Sequence, residues 1–462
     1  MSSGQDADED AAPRVMRASA MPEGTPEVPV AIVGAGACGL TAALMLRDAG
    51  IDCVLLERDA LPQGSTALSS GFIPAAGTQV QRAAQIDDSP ERFAADIQAK
   101  AHGTAAPHLV AAYTQAIAPA LDALQQRHGL GFELLDGFLY PGHGVRRMHT
   151  LPQRTGQALV SALAAAAERA GALLLTNAQV QEIWCDEVAG RVIGLGYRRP
   201  DGTQEHLACR ALLLACNGFG GNAAMVRELL PEMRDATFAG HAGNDGSAID
   251  WARALGLALA DLGGYQGHGS WAVPQGALIT WALMMDGGVQ VNARGERFHD
   301  ETQGYSEAAV HVLAQPGGVA WNVFDDQGLA LGRSFPDFVD AQAAGAVRHA
   351  ADAPALAALI GCDVQALVAT LATARRPLGS PLHAIKVTGA LFHTQGGIDV
   401  DAGCRALLAD GSPHPNLLAA GGAARGVSGN AVWGYLSGNG LLSAAAGGFI
   451  AARSAASMLE SS

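Results

Sequence analysis

The run VPVAIVGAGACGLTAALMLRDAGIDCVLLERD (28–59) leaves this chain few ways to fold. A short apolar strand, Val30–Val33, leads into Gly34-x-Gly36-x-x-Gly39, then a helix, then a second strand, Cys53–Leu56, ending at Glu57. Gly34 permits the tight turn, Gly36 lets the backbone approach a pyrophosphate, and Gly39 lets the helix pack closely on the strand. The helix N-terminus supplies free N–H groups and partial positive charge for phosphate. Glu57, 23 residues after Gly34 (57 − 34), stands where a carboxylate accepts ribose hydroxyls. This is a strand–helix–strand dinucleotide site. Its acidic end disfavours a 2′-phosphate and leaves nicotinamide and flavin dinucleotides both open.

Composition narrows the function class. With 462 residues, 49% of them hydrophobic and 16% charged, the chain is expected to be globular with two or three domains. A net charge of −15 repels nucleic acid and anionic lipid, so no nucleic-acid partner is expected. The seven cysteines are odd in number and include no C-x-x-C, which gives no support to disulfide, zinc or haem sites. A cytoplasmic location is expected. Residues 1–27 are acidic and lack a signal-peptide core; they read as a disordered tail. The apolar run LLSAAAGGFIAA is too short for a membrane span, and none is expected.

A second small-residue run, QGSTALSSGFIPAAGT (63–78), follows the acid. Two such contacts from one N-terminal half suit an extended dinucleotide, as FAD is. With its fingerprint, the chain resembles the fumarate reductase/succinate dehydrogenase flavoprotein superfamily, whose G-x-T-x-x-[AS]-x-G segment is matched by Ser65, Thr66, Ser69, Ser70 and Gly71. Covalently flavinylated members carry histidine where Ser65 stands, so the resemblance implies non-covalent FAD. It further implies an α/β fold: a Rossmann-like FAD-binding domain of the glutathione-reductase type with an inserted α+β cap. The expected divisions are 28–264 and 386–462 for the FAD domain and 265–385 for the cap.

The same resemblance extends the cofactor set along the chain. Cys38 lies inside the fingerprint, just before Gly39, and Arg58 follows Glu57. Val180, in TNAQV, is a backbone contact to adenine, and Asn217 and Gly218 close a strand expected at Ala211–Ala215. Asp245 belongs to the N-D-G that caps the following helix. Gly421 and Gly422 stand where relatives commonly have Gly-Glu. Asn439, Leu441 and Leu442 open a last helix directed at the flavin.

Two tyrosines bear on substrate. ARGERFHDETQGYSEAA (293–309) matches the superfamily's G-x-R-F-x-x-E segment, after which fumarate reductases place a proton-donating arginine four residues past the glutamate. Here that position is Tyr305. The arginine that clamps a carboxylate before the last helix is replaced by Tyr435. Losing both removes the side chain best suited to bidentate carboxylate binding. The 3-ketosteroid 1-dehydrogenase branch keeps tyrosine at both places. By that resemblance Tyr305 is the base, while Tyr435 and the Gly438 N–H bind the ketone oxygen. His268 (YQGHGS) and His393 (LFHTQGGI) match substrate-binding histidines.

The residue types suit α,β-desaturation of a cyclic ketone: the α-carbon loses a proton, and the β-carbon loses a hydride, which flavin N5 takes up. An enolate-stabilising donor is worth about 3 kcal/mol. A tyrosinate base needs help, since free tyrosine titrates near pH 10; Tyr113 and Tyr140 are candidates. A small cyclohexanone-type ketone such as 4-oxocyclohexanecarboxylate is expected, with oxygen, a quinone or another protein as electron acceptor. A steroid, alkene reduction by the reverse steps, and a non-catalytic flavin subunit remain open alternatives.

Overall fold

The computed structural model of the protein describes residues 13–135 and 139–460. Contacts divide the chain into two compact units. One runs to Met225 and adds Gly240–Gly264 and everything from His393 onward; the other comprises Val226–Ala239 and Tyr265–Phe392.

The first unit is built on a nine-stranded sheet. Its central strands Gln204–Leu214, Glu27–Val33, Cys53–Leu56 and Leu173–Leu175 run parallel, and Pro413–Ala419 joins Gln204–Leu214 in the same direction. Register aligns Val33 with both Leu56 and Leu214, and Leu214 with Ala419. The carboxyl ends therefore lie level, and the turns leaving them carry Gly34–Gly39, Glu57, Asn217–Gly218 and Gly421–Gly422. That edge is where open α/β sheets bind ligands. Where they are buried on both faces, at 30–33, 53–56, 211–214 and 417–419, these strands read as continuous apolar runs rather than alternating ones; Leu173–Leu175 stays partly exposed.

Residues 14–17 depart from the expected disordered tail. Arg14–Arg17 is an edge strand, parallel to Gln179–Cys185, and Arg14 pairs with Glu182 at 2.9 Å. Backbone pairing with a strand about 170 residues away (182 − 14 = 168) supplies the order that local composition lacks. The expected tail is ordered beyond that strand as well: the Ala18 N–H donates to the Cys185 carbonyl at 3.0 Å, the Thr25 N–H to the Pro22 carbonyl at 3.2 Å, and the next strand begins at Glu27. Residues 1–12 lie outside the described residues.

Helices Ala37–Asp48 and Asn439–Glu460 pack against the sheet, and Pro107–His128 packs on Asn439–Glu460. The last is long and apolar enough to cross a membrane, yet 56% of its apolar window is buried within the structure. Gly448 permits the close crossing with Ala37–Asp48, because a Cβ there would overlap the Cys38 carbonyl.

The second unit centres on a seven-stranded sheet whose main path runs Ala277–Leu278, Tyr265–Ala272, Leu382–Thr394, Val319–Asp325, Val289–Val291. Thr237–Phe238 pairs with Leu382–Thr394, which brings 226–239 into this unit although its sequence sits among residues expected in the FAD domain. Helix Tyr305–Leu313 lies on strand Tyr265–Ala272. Gly267 and Gly269 allow the approach, since Cβ atoms there would meet Ala309 Cβ at 2.8 Å and Ala308 Cβ at 2.6 Å.

Candidate active site

In the first unit, Gly34 has φ +101°, and a Cβ there would meet the Ala215 carbonyl at 2.6 Å. Glu57 is buried and accepts the N–H groups of Ala35 (2.9 Å) and Asp59 (3.1 Å). Burial pushes its carboxyl up, while those two N–H groups favour the charged form. Thr66 Oγ1 accepts the Ala37 N–H at 2.9 Å, tying the second small-residue segment to the first helix. Ser65 Oγ receives amide N–H bonds from Asn217 (2.7 Å) and Asn244 (3.1 Å). Ser69 Oγ accepts the Gly71 N–H at 3.1 Å, and Gly71 holds φ +70°. Arg58 pairs with Asp245 at 2.8 Å; Asp245 in turn caps the Ser247 N–H at 3.0 Å. Ser70 is half-buried, and Val180 is buried on the strand Gln179–Cys185. Cys38 is a buried thiol that desolvation holds in the neutral form.

Around the last helix, Leu442 is fully buried and Leu441 half-buried. Asn439 Nδ2 donates to Ser428 Oγ (3.0 Å), and Ser428 donates to Gln395 Oε1 (2.8 Å). Gln395 Nε2 lies 3.2 Å from His393 Nδ1. Asn439 Oδ1 and Ser443 Oγ are buried without a protein partner. Acceptors orphaned at a helix N-terminus, next to a glycine-lined sheet edge, fit a polar cofactor ring, and the turn at Gly34–Gly39 fits its phosphates.

Each tyrosine has a histidine beside it in its own unit. Tyr435 and His393 meet edge to face, centroids 5.6 Å apart. Gly440 leaves room for this imidazole: a Cβ there would stand 3.0 Å from His393 Nε2. In the second unit, His268 stacks on Tyr305 at 4.7 Å and 20°. Gly304, at φ +132°, turns the chain so that Tyr305 opens its helix. The Ser270 N–H donates to His268 Nδ1 at 3.1 Å, so a neutral ring carries its proton on Nε2. Burial lowers His268 to about 3 and His393 to about 4, leaving both neutral near pH 7.

Of the assisting candidates, Tyr113 is corrected. It is fully buried in helix Pro107–His128 with its hydroxyl 3.9 Å from Cys404 Sγ, and burial raises its pKa far above the ordinary value. Tyr140 lies half-buried, edge-on to Phe72 at 6.3 Å. Gln395 and Ser428 carry no signal of their own in the sequence: Gln395 fills the variable position of the segment LFHTQGGI, and Ser428 lies in a Gly-rich turn.

The family model described as "FAD binding domain" matches residues 29–441. The chain belongs to that family. FAD is its cofactor, and it is an FAD-dependent oxidoreductase with the fold of the fumarate reductase and ketosteroid dehydrogenase flavoproteins. It is 27% identical to the NADH:fumarate oxidoreductase of Klebsiella pneumoniae over 87% of its own length, spanning 45% of that longer protein. It is 26% identical to the 4-oxocyclohexanecarboxylate 2-dehydrogenase of Sinomonas cyclohexanicum, covering 85% of this chain and 87% of that one. The 3-ketosteroid-Δ4-(5α)-dehydrogenase of Rhodococcus jostii superposes with a TM-score of 0.77 at 25% identity, covering 96% of this chain and 99% of that one.

Proposed function

We propose that this FAD-binding chain desaturates a cyclic ketone at the α,β bond, with a small cyclohexanone-type ring such as 4-oxocyclohexanecarboxylate as substrate. Tyr305 removes the α-proton. Tyr435 and the Gly438 N–H hold the enolate oxygen, and a bound FAD would supply the acceptor for the hydride. Gly34, Gly36, Gly39, Glu57, Ser65–Gly71, Asn217–Gly218 and Asn439–Leu442 hold the cofactor without a covalent bond, and the second unit acts as the substrate cap.

The observation that carries this reading is the pairing of each tyrosine with a histidine that burial keeps neutral. A dicarboxylate needs cationic partners; a ketone needs hydrogen-bond donors, which a neutral Nε2–H and a phenol supply. Resemblance to a dehydrogenase of a monocyclic keto acid over nearly equal lengths supports the small ring. A carboxylate on that ring would meet His268 or His393 as a neutral donor. Oxygen, a quinone or a second protein is the electron acceptor. Seven unpaired thiols support work in a reducing cytoplasm.

A substrate panel with an artificial electron acceptor tests this: cyclohexanone, 4-oxocyclohexanecarboxylate, a 3-ketosteroid and, with reduced dye, fumarate. Fastest turnover of 4-oxocyclohexanecarboxylate supports the reading. Faster turnover of the steroid sinks the small ring, and preferential fumarate reduction sinks the desaturase.

A further inference from the structure

A chain of buried groups leads to the peptide that carries the Gly438 N–H. Arg147 is fully buried and binds Asp88 through two nitrogens, Nε at 3.0 Å and Nη2 at 3.1 Å. Its Nη1 reaches Asp96 at 2.6 Å and lies 3.4 Å from His143 Nδ1. His143 Nε2, on the far side of the ring, lies 2.9 Å from the Ser437 carbonyl oxygen. Arginine only donates and a carbonyl only accepts, so the neutral imidazole must carry its proton on Nε2 and its lone pair on Nδ1. Burial, followed by the Arg147 charge, lowers His143 to about 4 and keeps it in that form.

The Ser437 carbonyl and the Gly438 N–H are two ends of one planar trans peptide and point in opposite directions. Whatever pins the carbonyl aims the N–H. Gly438 holds φ +87°, and its own carbonyl already accepts the Leu442 N–H of the last helix at 2.9 Å. A Cβ there would meet Pro74 Cδ at 2.6 Å, so the residue has little room to rotate. Three fixed points, the helix turn, Pro74 and His143, define the direction of that N–H.

We propose that His143 is a positioning residue: oriented by Arg147, it pins the Ser437 carbonyl and thereby aims the Gly438 N–H as an oxyanion donor. This rests on the reading of Gly438 given above. It makes two residues about 290 positions apart in sequence act on one peptide plane (437 − 143 = 294).

The probe is 4-nitrophenol, whose phenolate mimics an enolate oxygen and reports its ionisation by colour. The FAD-loaded wild type is expected to bind the phenolate at least about tenfold more tightly than the phenol, one well-aimed donor being worth that much or more. His143→Leu should cut the preference about tenfold, to what the Tyr435 hydroxyl alone supports, and lower kcat on the accepted ketone about 10- to 100-fold with KM little changed. His143→Gln, which keeps a long N–H donor, should recover most of both. His143→Asn, too short to reach Ser437, should not, and it serves in place of His143→Leu if that variant fails to load FAD. An undiminished phenolate preference in His143→Leu or His143→Asn overturns the role of His143 alone. Absence of the preference in wild type overturns the oxyanion reading of Gly438 and the proposal with it. A turnover loss that His143→Gln does not recover also overturns it, because it would mark packing rather than donation.

Discussion

Replacing Arg147 by methionine should be among the most destabilising single substitutions in the first unit. The side chains of Arg147 and Asp88 are both 0% exposed. Methionine fills much of the volume but leaves Asp88 with only Gln81 Nε2 (2.9 Å) and the Ser89 N–H (3.0 Å) against its charge. Asp96 is better placed, being partly exposed and holding the Gly144 N–H at 2.8 Å. The cost is that of a buried carboxylate stripped of its cation, about 3–5 kcal/mol, plus the lost contact of the guanidinium with the Phe93 ring at 4.5 Å. Asp88→Asn in the same chain removes the stranded charge and should recover about half. Equilibrium urea unfolding with FAD in fixed excess measures all four corners of the cycle. A cost below about 1 kcal/mol for Arg147→Met, or a double variant as unstable as the sum of the singles, would refute the account of a charge-compensated buried cluster.

Tyr305→Phe should retain FAD and lose turnover by roughly 10²- to 10⁴-fold, the usual worth of a general base; Tyr435→Phe should lose less. Steady-state rates beside the flavin absorbance of each variant check both. Acid precipitation should release all yellow colour into the supernatant, since Ser65 offers no nitrogen for a flavin bond; colour in the pellet contradicts this. Stability should fall as pH drops from about 6.5 toward 4. His143, His149 and His393 titrate at about 4 in the fold, so below 6.5 the unfolded chain takes up protons that the native chain refuses. Each contributes at most about 3 kcal/mol, fully present above pH 6.5, and Tm measured across that window reads the slope. A flat Tm between pH 6.5 and 4 would show that these imidazoles stay accessible to protons.

Local chemistry carried much of this protein into view before any coordinates. A tight turn, a phosphate-facing helix and a terminal acid are contiguous requirements, so residues 30–57 announce a dinucleotide site and the structure delivers the strands at Glu27–Val33 and Cys53–Leu56. Tyr305 and His393 can be named from short motifs of fixed spacing, and Tyr435 and His268 from resemblance at single positions. The two ring pairs they form depend on contacts between distant segments, as Gly267 and Gly269 admitting the Tyr305 helix illustrate. Groups whose roles arise from such contacts left no periodic trace. Arg14–Arg17 looks like a charged tail until a distant strand offers its backbone. His143 lies in a loop-like stretch, and nothing in PGHGVRRMHT says which arginine is buried or which carbonyl the imidazole holds. A motif encodes a backbone shape within some ten residues. Burial, tautomer and charge compensation are properties of what the folded chain brings alongside, and they set whether His143, His268 and His393 act as cations or as neutral donors.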